Sequence, residues 1–406
     1  MFKRFYPIFL LYVFLLIGFF LNADPNKGAY LDYQNHIKLL ADLRDNFFYT
    51  LSKYDEYATR HSPVLYIFIS FFYKLNFSDQ LIRFFSLHFC FLLPFIFYKS
   101  ILIKYKNINK KSVLLIVGLI LLSPSFWSLS IWPDSRLFGL IFFCLSIYFY
   151  LKFEGEDKHN FSNAIKCILS YTASSYLSPN FAVFSIFYFY FFYKKFKFQK
   201  ELIYIILINI ALSLPAFIYL FSLETIFIFQ TAAPGGDIKY SEIFNIANKV
   251  LILSSIVFFY AIPFIITNSF KYNFLNYKII FFSLIILLVC TIFFNYNYDL
   301  TGGGIFFKLS FLLFKNNYLF YIICFFAINF ILYLVKTDFK NIFLLILLLI
   351  SNPQYTIYHK YYDPLMLILF SLLFSVNLNI RNFLNNRSII IFYLFTGSFL
   401  ILNFLK

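Results

Sequence analysis

The chain has little charge: 13% of its 406 residues are Asp, Glu, Lys or Arg, while 61% are hydrophobic. An ordinary soluble domain carries about 25% charged residues. Apolar runs of roughly 17–22 residues recur along the whole chain, which matches the hydrocarbon thickness of a bilayer. A soluble core could not use so many of these runs. The sequence therefore predicts an all-α, polytopic bundle of transmembrane helices with about 11–13 spans.

Paired cysteines are also missing. No CxxC pair occurs, and the five cysteines lie inside hydrophobic spans at irregular separations (Cys90, Cys144, Cys167, Cys290 and Cys324). Neither a zinc motif nor a disulfide framework is implied. We interpret these cysteines as small apolar packing residues.

The sequence lacks a linker and a soluble terminal domain, so residues 1–406 are predicted to form one membrane domain. No basic groove interleaved with stacking aromatics occurs, which argues against nucleic acid as the partner of a chain with net charge +16. The excess of Lys and Arg is better explained by membrane orientation, because cytoplasmic loops accumulate these residues. The absence of a sizeable inner domain argues against an enzyme that uses cytoplasmic nucleotide sugars.

The first hydrophobic segment, residues 5–21, follows Lys3 and Arg4 and is not followed by a small-residue cleavage site. We therefore expect a retained helix with a cytoplasmic N-terminus. Successive spans then place more than half of the 34 Lys and Arg inside and most of the 18 Asp and Glu outside. The chain is predicted to be integral to a membrane, the bacterial cytoplasmic (inner) membrane, with its active site on the outer face.

The long first outer loop, residues 22–83, contains most of the polar sequence of the N-terminal half. Its apolar residues Tyr33, Ile37, Leu40 and Phe47 recur at helical spacing, which predicts an amphipathic helix at the membrane interface. The apolar stretch at residues 62–74 is too short to span, so we expect it to dip into the interface or pack on the bundle.

Two aspartates stand beside the membrane on the outer side, Asp32 in the first loop and Asp134 in the next. Either could be a solvated loop carboxylate, and Asp134 could instead cap the helix that follows. The chemical alternative is that both converge on one outward-facing cavity, with an aspartate as general base. His36 lies four residues after Asp32, so on a helix both would share a face.

Other candidates for substrate contact are Asp24, His61, Arg136 and Lys360. Lys360 precedes a late span, where a cation suits a lipid-linked phosphate; the alternative is a lysine that reaches the interface with its charged end. For His61, which precedes Ser62 and Pro63, a role in the loop structure is favoured over a catalytic one. An Asp and a His supply too few ligands for a metal site. No cofactor is therefore assigned, although a divalent cation is left open.

The order of these motifs resembles the N-terminal half of the GT-C superfamily of polyprenyl-phosphate-sugar-dependent glycosyltransferases. The type is that of the dolichyl-phosphate-mannose-protein mannosyltransferases and aminoarabinose transferases. The resemblance covers roughly residues 1–220, and residues 221–406 form a variable C-terminal half. The residues that carry it are Tyr30, Asp32 and His36; His61, Ser62, Pro63 and Tyr66; Ser78 to Phe84; Leu122 to Trp127 with Asp134 and Ser135; and Lys360, Tyr361 and Pro364.

The resemblance implies an inverting sugar transfer at the outer face, with a polyprenyl phosphate as leaving group. By position Asp32 matches the catalytic acid of the first loop and Asp134 the acid of the second, and Lys360 would contact phosphate. The chain departs from the pattern at Tyr33, where many relatives have Glu, and at Ser62, where they have Pro. Asp24 could compete with Asp32 for the role of base.

The sequence thus predicts a membrane glycosyltransferase that moves a sugar from a polyprenyl-phosphate donor to a glycan, lipid or protein acceptor outside the cytoplasm. One alternative is a polysaccharide polymerase of the O-antigen type, which would use outer-loop arginines and a base. Another is a flippase or transporter for lipid-linked oligosaccharides. That alternative predicts charges in mid-span and an internal repeat, whereas the sequence contains no internal repeat and almost no charge inside its spans.

Overall fold

The computed structural model describes residues 6–57, 59, 61–155, 160–224, 245–270, 272, 276–299, 302–352, 354, 356–376 and 378–405. Over these ranges the protein is all-helical, as the hydropathy pattern predicts. The described ranges contain no β-strand, only one isolated antiparallel bridge between Phe270 and Leu378. Short 3₁₀ turns join several of the helices (Tyr54–Tyr57, Leu119–Leu122, Pro179–Phe184 and His359–Tyr361).

The chain divides into two compact units, Met1–Asp237 with Ser398–Lys406, and Ile238–Gly397. The helices of the first unit are α1 (Tyr6–Phe20), α2 (Ala29–Asn35), α3 (Ile37–Asp45), α4 (Phe47–Ser52), α5 (Pro63–Lys74), α6 (Asp79–Cys90), α7 (Leu92–Lys104), α8 (Lys110–Gly118), α9 (Pro124–Ile131), α10 (Ser135–Gly155), α11 (Asn160–Leu177), α12 (Ser185–Phe196) and α13 (Lys200–Ser222). Those of the second unit are α14 (Ile246–Ile266), α15 (Tyr277–Ile292), α16 (Gly304–Phe314), α17 (Tyr318–Thr337), α18 (Phe339–Ile350), α19 (Leu365–Leu372), α20 (Ile380–Phe383) and α21 (Asn386–Leu405), whose last residues belong to the first unit.

Six helices in the described ranges are long and apolar enough to cross a membrane, which is compatible with an integral membrane protein. They are Asp79–Lys104 (α6 with α7), Ser135–Gly155, Lys200–Ser222, Ile246–Ile266, Tyr318–Thr337 and Asn386–Leu405. A seventh crossing results if the bent pair Lys110–Leu122 and Pro124–Ile131 counts as one span. A count of 11–13 therefore requires shorter apolar helices, such as α1 and α15, to cross as well.

The bend between α8 and α9 interrupts the apolar run at residues 113–131, which hydropathy alone would predict to be one span. The two segments meet at an angle of 64°. Ser123 caps the second one by accepting from the N–H of Phe126 at 3.0 Å, and Pro124 occupies its first position. Proline is favoured there because it has no N–H to lose, and it prevents the preceding helix from continuing.

The first loop folds differently from the single amphipathic helix that the sequence predicts. The segment breaks at His36 and Asn46 into α2, α3 and α4. Tyr33 and Leu40 are buried inside the protein, whereas Ile37 and Phe47 are exposed on its surface, so the four apolar residues do not all pack into one core. Three leucines of α3 instead pack with residues of α5 and α6 in one core cluster (Leu39, Leu40, Leu43, Leu65, Ile69 and Ile82).

In the second unit, a glycine loop packs against the segment before α19. Gly302 and Gly303 have positive φ angles of 95° and 81°, and the Gly303 N–H donates to the carbonyl of Ile357 at 2.9 Å. A Cβ on Gly302 would lie 2.7 Å from that carbonyl oxygen. Only glycine therefore fits without a shift of the backbone.

Candidate active site

The short helix α2 carries Asp32 in its first turn. The turn before this helix is held by Asp24, whose Oδ2 accepts from the backbone N–H groups of Gly28 at 2.8 Å and Tyr30 at 3.0 Å. These contacts give Asp24 a role in shaping the start of α2. Its predicted competition with Asp32 for the role of base stays untested.

Arg136 lies between the two predicted catalytic carboxylates. Its Nη2 is 3.0 Å from Oδ2 of Asp134 and 3.6 Å from Oδ2 of Asp32. The side chain of Asp134 is 6% exposed and that of Arg136 is 14% exposed, whereas the side chain of Asp32 is 38% exposed. The two aspartates therefore share one cation, and Asp32 is the more accessible of the pair.

Asp134 fixes Arg136 and caps the start of α10. Its Oδ1 accepts from the backbone N–H of Arg136 at 2.7 Å and from Nε at 3.1 Å. The backbone bond is that of an N-cap residue, which is the structural alternative considered for Asp134. Burial alone would raise the pKa of this carboxyl, but the adjacent Arg136 guanidinium outweighs burial and holds the pKa well below its usual range. Asp134 is therefore an ionised anchor for the guanidinium.

His36 holds the backbone around Asp32. Its Nδ1 bonds to the main-chain carbonyl of Asp32, not to the carboxylate, and its Nε2 is 2.9 Å from the Thr59 hydroxyl. A carbonyl oxygen only accepts, so Nδ1 carries the proton. Burial lowers the pKa of His36, so the ring is neutral near pH 7 and Nε2 accepts from Thr59. Both ring nitrogens thus have partners within the protein, which favours positioning over substrate binding for this residue.

His61 lies against the same cluster from the other side. Its Nδ1 is 2.9 Å from the hydroxyl of Ser135, and its ring packs edge-on to His36 with centroids 5.3 Å apart. Burial lowers the pKa of His61 to about 4, so the imidazole is neutral near pH 7. Tyr66 stacks on His36 at 4.5 Å and completes the packing.

The structure therefore brings five of the seven predicted site residues into one cluster, which we call the aspartate cluster (Asp32, His36, His61, Asp134 and Arg136). Asp24 adjoins it through the turn before α2. Lys360 belongs to the second unit, where it lies in a 3₁₀ turn with its Nζ 5.2 Å from the ring centre of Tyr358.

The sequence analysis did not propose Thr59, Ser135 or Arg83 as site residues, although Ser135 and Arg83 belong to motifs that carry the resemblance. Thr59 and Ser135 carry no recognisable chemical signal, because a hydroxyl that bonds a histidine can lie anywhere in the sequence. Arg83 did carry a signal, since it is a charged residue inside an apolar span and such residues are rarely neutral in function.

A metal ion is a poor fit to the aspartate cluster. Within the described ranges, no three His, Cys, Asp or Glu side chains are grouped so that they could hold a metal ion. The space between the two carboxylates is occupied by the Arg136 guanidinium, whose charge would repel a cation.

Comparison of the chain with known protein families, curated proteins and solved structures finds no match.

Proposed function

We propose that the protein is a membrane glycosyltransferase of the GT-C type, which transfers a sugar from a polyprenyl-phosphate donor to an acceptor hydroxyl at the outer face of the cytoplasmic membrane. The observation that carries the proposal is the half-exposed Asp32 carboxylate beside a guanidinium that a buried second carboxylate anchors. A base and a fixed cation at one site are the two groups that such a transfer needs.

In the proposed mechanism, Asp32 accepts the proton of the acceptor hydroxyl while the hydroxyl oxygen attacks the anomeric carbon of the donor. The bond from that carbon to the phosphate oxygen breaks, and the phosphate leaves with the electron pair. Displacement from the opposite face inverts the anomeric configuration. A positioned base typically contributes about 10²–10⁴-fold to such a rate.

Arg136 is proposed to stabilise the departing phosphate. A guanidinium is suited to phosphate oxygens because its N–H groups form a planar fork. Its distance of 3.6 Å from Asp32 is longer than its distance of 3.0 Å from Asp134. A donor phosphate can therefore draw the guanidinium away from Asp32 while the guanidinium stays anchored to Asp134.

The two remaining predicted contacts take different places in this proposal. His61, neutral and next to Ser135, is placed to hydrogen-bond a sugar or acceptor hydroxyl. Lys360 stays a predicted phosphate contact in the second unit. Six helices in the described part of the chain are long and apolar enough to cross a bilayer, and a polyprenyl chain dissolves in a bilayer, which favours a lipid-linked donor over a soluble one.

The test is transfer of radiolabelled sugar from polyprenyl-phosphate donors in membranes, with wild type and Asp32→Asn at matched expression. We expect the variant to lose transfer by about 10²-fold or more, because an amide cannot accept the proton. Asp45→Asn is the matched control, since Asp45 lies in the same loop but is exposed and pairs with Arg44. Equal transfer by wild type and Asp32→Asn would remove Asp32 as the base. If no donor supports transfer by wild type, the polymerase and transporter alternatives take precedence.

A further inference from the structure

A second buried cation, Arg83, lies outside the aspartate cluster. It stands in the first turns of the candidate span Asp79–Lys104, yet only 6% of the residue is exposed. Burial of a guanidinium is costly unless hydrogen bonds and a counter-charge compensate for the lost water. The groups that compensate Arg83 therefore indicate what the residue holds in place.

Arg83 joins the C-terminal ends of two helices. Its Nε donates to the carbonyl of Ile131, the last residue of α9, at 3.0 Å. Its Nη2 donates to the Asn22 side chain at 2.9 Å, two residues beyond α1. Carbonyl groups at a helix C-terminus have no donor within the helix, and the helix dipole makes this end partly negative. A buried cation here is therefore favourable, and it fixes where α9 ends.

The face of the same guanidinium stacks on Trp132, the residue that follows Ile131. The Arg83 Cζ is 3.5 Å from the ring centre of Trp132, and that ring contacts Tyr30 at 4.8 Å and Tyr33 at 5.8 Å. Trp132 is two residues before Asp134, and both tyrosines belong to α2, the helix that carries Asp32. The Trp132 indole, which lies in the turn that leads to Asp134, thus also contacts α2, the helix that carries Asp32.

Asp79 links Arg83 to α2 by a second route. Its Oδ2 is 3.8 Å from Nη1 of Arg83. Its Oδ1 accepts from the hydroxyl of Tyr33 at 2.5 Å and from that of Tyr73 at 2.6 Å. Tyr33 is buried, so its hydroxyl needs such a partner. The helix α2 is therefore held both at the ring of Tyr33, by Trp132, and at its hydroxyl, by Asp79.

We propose that Arg83 and Asp79 are positioning residues that set the separation between Asp32 and the Asp134–Arg136 pair. They hold the Trp132–Asp134 turn through the Ile131 carbonyl and the Trp132 ring, and they hold α2 through Tyr33. The consequence for catalysis rests on the proposed function, whereas the geometric role does not. Loss of these contacts loosens the two elements without removing any group of the aspartate cluster.

Hydrogen–deuterium exchange of the purified full-length protein in nanodiscs tests the geometric role. Arg83→Lys keeps the charge but loses the planar fork and the stack on Trp132. We expect exchange to rise about tenfold in residues 28–36 and 131–138, with no change in α15 of the second unit. Tyr33→Phe, which removes a single hydroxyl, should raise exchange in residues 28–36 alone. Arg44→Lys is the control, because Arg44 is exposed and bonds only to Asp45 in the contacts that the structure provides.

Transfer kinetics test the catalytic consequence separately. If the proposed function holds, Arg83→Lys should lower kcat about tenfold or more, with little change in the KM for the polyprenyl-phosphate donor. Unchanged exchange in both segments would overturn the inference whatever the kinetics show. Exchange that rises equally in α15 would do so too, because it would show general loosening. Absence of transfer by wild type would count against the proposed function alone, since the exchange result still decides the positioning role.

Discussion

Replacement of Asp134 provides the sharpest energetic test of the aspartate cluster. Asp134→Asn keeps an oxygen that can accept from the backbone N–H of Arg136, so the cap of α10 survives. The variant loses the negative charge that faces the guanidinium. A hydrogen bond to a charged group contributes about 1.5–3 kcal/mol to stability. We therefore expect the free energy of unfolding to fall by about 2 kcal/mol.

Asp134→Ala removes the cap as well and should cost more. Loss of an N-cap costs about 1 kcal/mol, and loss of one partner from a buried ion pair costs about 3–5 kcal/mol. Arg136 would retain only Asp32, at 3.6 Å and more exposed to solvent. Because Asp32 still neutralises part of the Arg136 charge, the two costs are not fully realised, and we expect Asp134→Ala to lose about 3–4 kcal/mol, roughly 1–2 kcal/mol more than Asp134→Asn.

The assay is unfolding by SDS titration in mixed micelles, with a double-mutant cycle of Asp134→Asn and Arg136→Gln. The cycle should yield a coupling energy of about 2 kcal/mol, because the two side chains share hydrogen bonds and charge. The reasoning would be refuted if both Asp134 variants stayed within about 0.5 kcal/mol of wild type, the range of ordinary surface substitutions. A coupling energy near zero would equally show that the guanidinium is not anchored by Asp134.

Two further predictions concern pH and the glycine loop. Unfolded His61 binds a proton below about pH 6.5 and folded His61 only near pH 4, so the free energy of unfolding should fall as pH decreases through this window. In SDS titrations at several pH values, the free energy of unfolding should change less with pH for His61→Gln than for wild type. An equal pH dependence of the two proteins would contradict the neutral buried ring. Gly302→Ala should destabilise the protein by more than about 1 kcal/mol, because φ is positive and the new Cβ meets the Ile357 carbonyl. The control Gly397→Ala, with open space around its Cβ, should be neutral or stabilising in the same SDS titrations, and equal effects of both variants would refute the packing argument.

Hydropathy predicts helix positions well because the cost of leaving backbone groups unpaired in lipid forces long apolar runs into helices. The run at residues 202–220 corresponds to the helix Lys200–Ser222, and that at residues 318–335 to Tyr318–Thr337. The break between the apolar runs at residues 113–131 and 137–151 corresponds to the junction of two helices, since α9 ends at Ile131 and α10 begins at Ser135. Each of these features depends on composition over one segment, which a single sequence contains.

Features that depend on distant residues could not be predicted in this way. His61 bonds to Ser135, 74 residues away, and Arg83 to Ile131, 48 residues away. Such partners are selected by the packing of helices against each other, and periodicity along one helix contains no information about it. The break at His36 has the same origin. Its ring turns back to Asp32 and Thr59, which replaces the continuous helix that the apolar spacing favours.

The burial of two arginines is the strongest physical argument for chemistry in the first unit. Each buried ion costs several kcal/mol of desolvation, and apolar side chains of similar volume often give equal or greater stability. A bundle selected for stability alone would therefore gain nothing from Arg136 between two carboxylates. Asp32 sharpens the argument, because it shares that cation at 3.6 Å and stays half-exposed, so it adds little to stability. A costly anchored cation next to an accessible carboxylate is what a reaction with an anionic leaving group and a proton to remove requires, and for this reason Asp32→Asn should impair transfer far more than it impairs folding.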